Sequence, residues 1–268
     1  MLQAAGVHAT FFILGWIAER APDLVRAIAA AGHEIASHGF AHRRVTTESR
    51  SAFRDDIRRS KALLEKICGA EVIGYRAPSY SISGSTLWAF DELLAAGYRY
   101  DSSIFPVRHD LYGINDWPRF PGLAVRRQDG DWYPAERAGA GDQTLAEFPI
   151  STLRLAGQNI PVGGGGYFRL FPYRLTRWSL ERINSIDGKP FLFYVHPWEF
   201  DPAQPRMQGA GWKSRFRHYL NLERTEPRFQ ELLRDFRFAP IRAAFDEQSS
   251  AGQTAGGVPL TEARTGLS

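Results

Sequence analysis

A single cysteine, Cys68, stands in the 268 residues. No disulfide can form within the chain, which excludes a disulfide-stapled scaffold. Long apolar runs are missing as well. The longest, residues 9–18, is interrupted by Thr10 and Gly15 and stops at Glu19, too short to cross a bilayer. No Lys or Arg precedes that run, so it does not read as a signal peptide, and the chain reads as soluble and cytoplasmic. Charge of one sign is scarce too. Thirty-three basic against 29 acidic residues leave +4, too little to imply a polyanionic partner. The glycine run at 163–166 lacks the Lys-Ser/Thr ending of a phosphate-binding loop and reads as a flexible turn. Low-complexity repeats are absent. What is present, 44% hydrophobic and 23% charged residues, is the composition of an ordinary domain with a real core.

The first hundred residues repeat one pattern: helical spacing, a glycine stop, a short strand, then polar residues. Residues 21–31 carry Leu24, Val25 and Ile28 at helical spacing, with Pro22 in the first turn and Gly32 as the stop. Residues 34–37 then read as a strand delivering Ser37, His38 and His42. A helix over 48–68, with Phe53, Ile57, Leu64 and Ile67 on one face, leads through Gly69 to a strand at 72–75 that delivers Arg76, Pro78 and Tyr80. A third helix, 85–96, and a strand at 98–100 deliver Asp101. This alternation predicts βαβ units and a parallel sheet. Further on, 172–184 reads as a helix and 190–195 as an apolar strand delivering His196.

Residues 106–170, rich in Gly, Pro and Trp, read as an elaborated loop region with short strands at 145–150 and 167–171. Residues 212–236 read as a basic helical extension broken near Pro227, 236–241 as a last strand, and 247–268 as a disordered tail. The organisation predicted is a main domain over 1–200, an extension over 201–246 and the tail. At the other end, residues 2–6 look like the last turn of a helix and 8–14 like the strand after it. On that reading the chain opens inside a βα unit, with one strand expected before it.

Strand ends are where ligands bind in parallel α/β folds, because the loops there converge over a rigid sheet. His38 and His42, four apart, can face one divalent cation with neutral imidazoles. They can equally be a polar loop in which one ring caps a backbone group. His196, at the end of an apolar strand, suits general acid–base work, and Asp101 can orient it by accepting its second ring proton. A buried, hydrogen-bonded core histidine is the plainer alternative. Arg76 can clamp a carboxylate and Tyr80 can line a sugar pocket, against a surface ion pair and a turn proline. Glu199 reads as an exposed residue after the strand. Lys213, Arg215, Arg217 and His218 among aromatics invite a nucleic-acid reading, but no nucleic-acid motif accompanies them.

Taken together these residues resemble the polysaccharide deacetylase family, the NodB-homology carbohydrate esterases. Ala9-Thr10-Phe11-Phe12 resembles the family's second-strand segment. Gly32-His33-Glu34-Ile35 with Ser37-His38-Gly39-Phe40-Ala41-His42 resembles its metal-histidine motif. Tyr75-Arg76-Ala77-Pro78-Ser79-Tyr80, Tyr100-Asp101-Ser102-Ser103 and Leu192-Phe193-Tyr194-Val195-His196 resemble the three that follow, in family order, over residues 7–200. Gly164-Gly165-Gly166-Tyr167-Phe168-Arg169, His196-Pro197-Trp198-Glu199 and Phe216-Arg217-His218-Tyr219-Leu220-Asn221 look like one subgroup, found with exopolysaccharide and PEP-CTERM loci and carrying a C-terminal extension.

The resemblance implies a deformed (β/α) barrel, here lacking its first strand, and metal-dependent removal of N-acetyl groups from a polysaccharide. It implies His38 and His42 as ligands of a divalent metal, usually zinc. It implies His196 as the acid for the leaving amine with Asp101 tuning it, and Arg76 as the residue orienting the base. Tyr80, with Pro78 and Trp198, falls to the substrate, the Tyr80 amide helping to hold the oxyanion. The family's Asp pair, which supplies the base and a third ligand, has no counterpart in these 268 residues. Impaired catalysis is therefore expected. The alternative is a catalytically inactive glycan-binding relative that uses aromatics such as Tyr80, Trp117 and Trp198.

Overall fold

Strand β1 (Thr10–Ile13) shows how the first hundred residues are sorted between two sides of a sheet. Phe11 and Ile13 pack with the helices, while Phe12 joins Tyr100 and Phe148 on the inner face. In this computed structural model, residues 1–109, 112–127, 130–206 and 211–254 are described. β2 (Glu34–Ser37), β3 (Gly74–Tyr75) and β4 (Tyr100–Asp101) follow β1 in parallel. Next come a hairpin of β5 (Gly122–Arg126) and β6 (Trp132–Ala135), and then β7 (Gln143–Glu147). The sheet order is β1-β2-β3-β4-β7-β5-β6, with β7 parallel to β4 and antiparallel to β5. A second hairpin, β8 (Thr152–Leu155) with β9 (Gln158–Pro161), stands apart.

Helices α1 (Gly15–Arg20), α2 (Pro22–Ala30), α3 (Arg50–Cys68) and α4 (Ala89–Ala95) pack on the outer face. Ser49 caps α3 by accepting from the Ala52 amide, and Gly69 ends it in the left-handed region. Its buried Phe53, Ile57 and Leu64, spaced four and seven apart, meet Val25, Ile35, Val72 and Tyr75 in the main core. Fully burying one such side chain contributes about 1.5–3 kcal/mol. The mixed α/β architecture thus follows the predicted alternation, although the described strands do not close into a ring.

The second half departs more from expectation. Residues 190–195 form no strand beyond a parallel bridge between Tyr194 and Gly164. A side chain supplies one of the missing partners there: the Leu192 amide donates to Ser151 Oγ. Gly164 has φ +115°, and a Cβ on it would lie 1.9 Å from the Tyr194 carbonyl oxygen, so only glycine permits the bridge. Residues expected as a strand at 167–171 are instead mostly helix α5 (Gly165–Leu170). Phe168 and Arg169, neighbours in sequence, are both buried, and a helical turn brings them inward together where a strand would send them to opposite faces. α6 (Tyr173–Arg182) runs into a π-helical turn at Ile183–Asp187.

α7 (Trp212–Tyr219) and α8 (Leu222–Asp235) divide at Leu220 and the left-handed Asn221, not at Pro227. Pro227 lies on the exposed face of α8, where its missing N–H leaves only the Glu223 carbonyl to water. Residues 236–241 are no strand either. Phe236 and Phe238 pack edge-on to Phe191, and after Pro240 the chain enters α9 (Ile241–Thr254). That helix carries regular structure eight residues past the point where a disordered tail was expected, and residues 255–268 lie outside the described residues.

α9 seals the floor of the sheet. Its first amides, from Ile241 and Arg242, donate to Thr10 Oγ1 and Glu34 Oε2, while the Tyr100 hydroxyl donates to Glu34 Oε1. A carboxylate at a helix N-terminus is the favoured sign of charge there. Phe245 packs beneath Tyr100 and Phe148. β1 is an edge strand, yet its Ile13 is buried and Phe11 packs against the core. Among the described residues no helix is long and apolar enough to cross a membrane.

Candidate active site

The carboxyl ends of β2, β3, β4 and β7 and the turn after Tyr194 open at one mouth. The loop after β2 carries His38 and His42, and two elements of α3 hold it. Asp56 accepts from the Phe40 and Ala41 amides at 2.6 and 3.2 Å. Ser60 donates to the Gly39 carbonyl and accepts from Ser37. Gly39 (φ +74°) and His42 (φ +56°) turn the chain back on itself, so the two imidazoles meet edge-on with centroids 5.1 Å apart. At Gly39 a Cβ would lie 2.8 Å from an Asp56 oxygen, which accounts for glycine at that position.

His38 Nδ1 is 2.7 Å from the Arg76 carbonyl oxygen. A carbonyl only accepts, so Nδ1 carries the proton and donates, leaving the Nε2 lone pair free. Burial, with the neighbouring His42, Arg76 and His196 adding to it, pushes the His38 pKa down to about 3. Burial and the His196 charge also lower that of His42. His196 is therefore close enough to act electrostatically on both rings, and the three imidazoles share one mouth. The His38 tautomer leaves Nε2 unprotonated, and the His42 ring lies beside it. No group of three His, Cys, Asp or Glu side chains able to hold a metal is found among the described residues. The donor set fits a divalent cation only in part.

Arg76 is buried, with Nε donating to the Ser102 carbonyl at 3.0 Å and Nη2 to Ser102 Oγ at 2.8 Å. Its guanidinium carbon lies 4.1 Å from the centroid of the Phe12 ring. Its charge is felt by Asp101 and Glu147 without a direct bond, in place of the surface ion pair weighed from sequence. Asp101 does not reach His196. Its carboxylate accepts from the Ser103 amide and hydroxyl and is hydrogen-bonded to Glu147, one strand over in register. Burial raises both carboxyls, Glu147 well above the usual range, because two adjacent buried charges cannot both be kept.

The group that meets His196 is Glu199, read from sequence as exposed and found buried. Its Oε2 accepts from the His196 backbone amide at 2.8 Å and lies 3.3 Å from Nδ1; its Oε1 accepts from Arg169 Nε at 2.8 Å. The sequence signal was available, since a Glu three residues into a helical turn is half of a capping box. Trp198 is not an open sugar platform. Its ring stacks on His218 at 4.2 Å and 12°, and the Arg169 guanidinium sits 4.9 Å from its centroid. Trp117 is buried in the main core against Phe90. Pro78 is buried and starts the turn that places Tyr80. Ser79 and Tyr80 both adopt left-handed backbone, a local strain of about 1–3 kcal/mol each at the mouth. The Tyr80 amide donates to the Ala77 carbonyl, so it is engaged in the turn rather than free to meet an oxyanion. Its ring packs on Tyr194 and Phe105, and burial raises its hydroxyl pKa. The side chains of Lys213 and Arg217 lie outside the described residues; His218 of the same segment is turned onto Trp198.

The polysaccharide deacetylase family matches residues 1–100, and a domain of unknown function, DUF3473, matches residues 102–246. The peptidoglycan-N-acetylglucosamine deacetylase of Bacillus cereus is 32% identical over 92 residues, 34% of this chain and 34% of its own. The peptidoglycan deacetylase of Helicobacter pylori is 30% identical over 143 residues, 53% of this chain and 47% of its own. The chain thus spans between a third and a half of the length of these two curated relatives. The crystal structure of a Mycobacterium smegmatis protein assigned as a polysaccharide deacetylase covers 99% of this chain and 79% of its own, at 21% identity and a TM-score of 0.56. At that identity the likeness concerns the fold.

Proposed function

Residues 1–100 belong to the polysaccharide deacetylase family and residues 102–246 to DUF3473, and from that premise we propose that the chain removes N-acetyl groups from a glycan at the mouth over β2 to β7. The observation that carries the reading is the convergence of His38, His42 and His196, brought together from positions 158 residues apart in the chain. Amide hydrolysis needs a proton delivered to the departing amine as the C–N bond breaks. His196, half exposed at the rim and backed by a carboxylate, is the side chain placed to supply it. Arg76, buried and without a direct carboxylate partner among the described residues, presents positive charge where an oxyanion or carboxylate would gather. Tyr80, Tyr112 and Tyr194 form an aromatic wall beside it that suits the apolar face of a sugar.

His38 and His42 are the side chains that would hold a divalent cation, zinc by the chemistry of paired neutral imidazoles. When bound, such an ion polarises an acetyl carbonyl. The described residues add no third donor, so the ion is held weakly and turnover is slow. The test is acetate release from N-acetylglucosamine oligomers by the 268-residue chain supplied with zinc. Slow, zinc-stimulated release that falls about 100-fold or more in His196→Ala supports the assignment. Release indifferent to both zinc and His196 refutes it.

A further inference from the structure

We propose that Glu199 is the positioning residue for the His196 imidazole, and that Arg169 of the DUF3473 half holds Glu199 in place. The inference rests on the reading of His196 as the proton donor, and it moves the orienting carboxylate away from Asp101, whose oxygens are spent on Ser103 and Glu147.

The geometry is a relay of three groups. Arg169 Nε donates to Glu199 Oε1 at 2.8 Å, and Glu199 Oε2 faces His196 Nδ1 at 3.3 Å while accepting its backbone amide. Both Arg169 and Glu199 are at least 95% buried, whereas the His196 side chain is 48% exposed. A buried ion pair carries a large desolvation cost and is worth little to stability for its own sake. Here it fixes one carboxylate oxygen against the one ring nitrogen that turns inward. A carboxylate beside Nδ1 selects the tautomer protonated there and directs Nε2 at the open mouth, where a proton is exchanged with substrate. Arg169 is itself fixed from the extension: Nη1 donates to the His218 and Leu220 carbonyls, and Asn221 Nδ2 donates to the Arg169 carbonyl. His218 also stacks on Trp198, which is stacked in turn beside His196. The groups facing His196 are therefore Glu199, Tyr194 and Trp198 on its own segment, with His38 and His42 across the mouth.

The experiment is long-range proton–nitrogen NMR on the whole chain labelled with 15N-histidine, with the His196 signal assigned by His196→Gln. The expected result is a neutral His196 protonated at Nδ1, shifting toward the Nε2-protonated form that free imidazole prefers when Glu199→Ala is made. Wild-type His196 in the Nε2-protonated form overturns the proposal, and that measurement stands even where Glu199→Ala does not fold. An unchanged tautomer in a folded Glu199→Ala chain also overturns it. Where turnover is measurable, Glu199→Ala lowers kcat about 10- to 100-fold with KM little changed, and Glu199→Asp restores part of it. The tautomer is read without substrate. An inactive chain with His196 locked at Nδ1–H therefore refutes the deacetylase reading alone, and an active chain with the other tautomer refutes this one alone.

Discussion

The ring of His38 donates from Nδ1 to the carbonyl oxygen of Arg76 across 2.7 Å, joining the first and second loops of the mouth. One backbone acceptor thereby decides which nitrogen of His38 is available to a ligand. Isothermal titration of the chain with zinc is expected to show one weak site, lost in His38→Ala and in His42→Ala alike. A double variant that binds zinc as the wild type does would remove the metal assignment.

Asp56 predicts a second effect, because it lies on α3 and touches no ligand. In Asp56→Ala the Phe40 and Ala41 amides lose their acceptor, at a cost of about 1–3 kcal/mol. The His38–His42 turn loosens with them. A lower melting temperature together with weaker zinc binding is expected; intact zinc affinity would show that the turn stands without this anchor.

The buried carboxyls Asp101 and Glu147 separate two substitutions of similar size. Burial beside Asp101 favours the protonated form of Glu147, and Glu147→Gln, which supplies a neutral donor toward Asp101, is expected to leave stability near that of the wild type. Glu147→Leu strips the Ile104 amide of its acceptor and Asp101 of its donor, costing roughly 2–5 kcal/mol. Denaturant unfolding of both variants distinguishes this from a fully ionised pair, in which Glu147→Gln would remove a repelling buried charge and raise stability well above the wild type.

Acid stability follows from a cluster on the outer face. Glu92 accepts from Arg54 and Arg50, and these guanidiniums hold its carboxyl down to about 2 despite burial. A carboxyl with a depressed folded pKa binds fewer protons folded than unfolded, so its stabilisation is present above pH 4.5 and is lost as pH falls toward 2. Thermal melts across that interval should fall less steeply in Glu92→Gln than in the wild type. Parallel slopes would show that the cluster contributes nothing at acid pH.

Much of this was legible in the sequence because each of the first three helix–glycine–strand units is local: Ser49 and Gly69 bracket α3, and the residue after each strand is the one delivered. His38 and Arg76 are placed that way, whereas His196 follows a stretch that forms no strand beyond one bridge. What could not be read depended on contacts over long separations. From sequence Asp101 is the carboxylate expected at His196 and Glu199 an exposed residue; in space Asp101 faces Ser103 and Glu147, and Arg169 holds Glu199 against the histidine. The stretch at 190–195 has strand composition, yet Ser151 Oγ accepts from the Leu192 amide and the Gly163 carbonyl from the Tyr194 amide in place of a ladder. Trp198 looked like a sugar platform until α7 supplied His218 to cover it.

The contacts of α9 with β1 and β2 span 231 and 208 positions respectively. On the ribosome, Thr10 and Glu34 emerge long before their last partners exist. Glu34 must wait solvated, or bound by a chaperone, until residue 242 clears the exit tunnel. Completion of the floor is therefore a late event in biosynthesis, and folding rate should be governed by closing that longest loop rather than by the helices that form early.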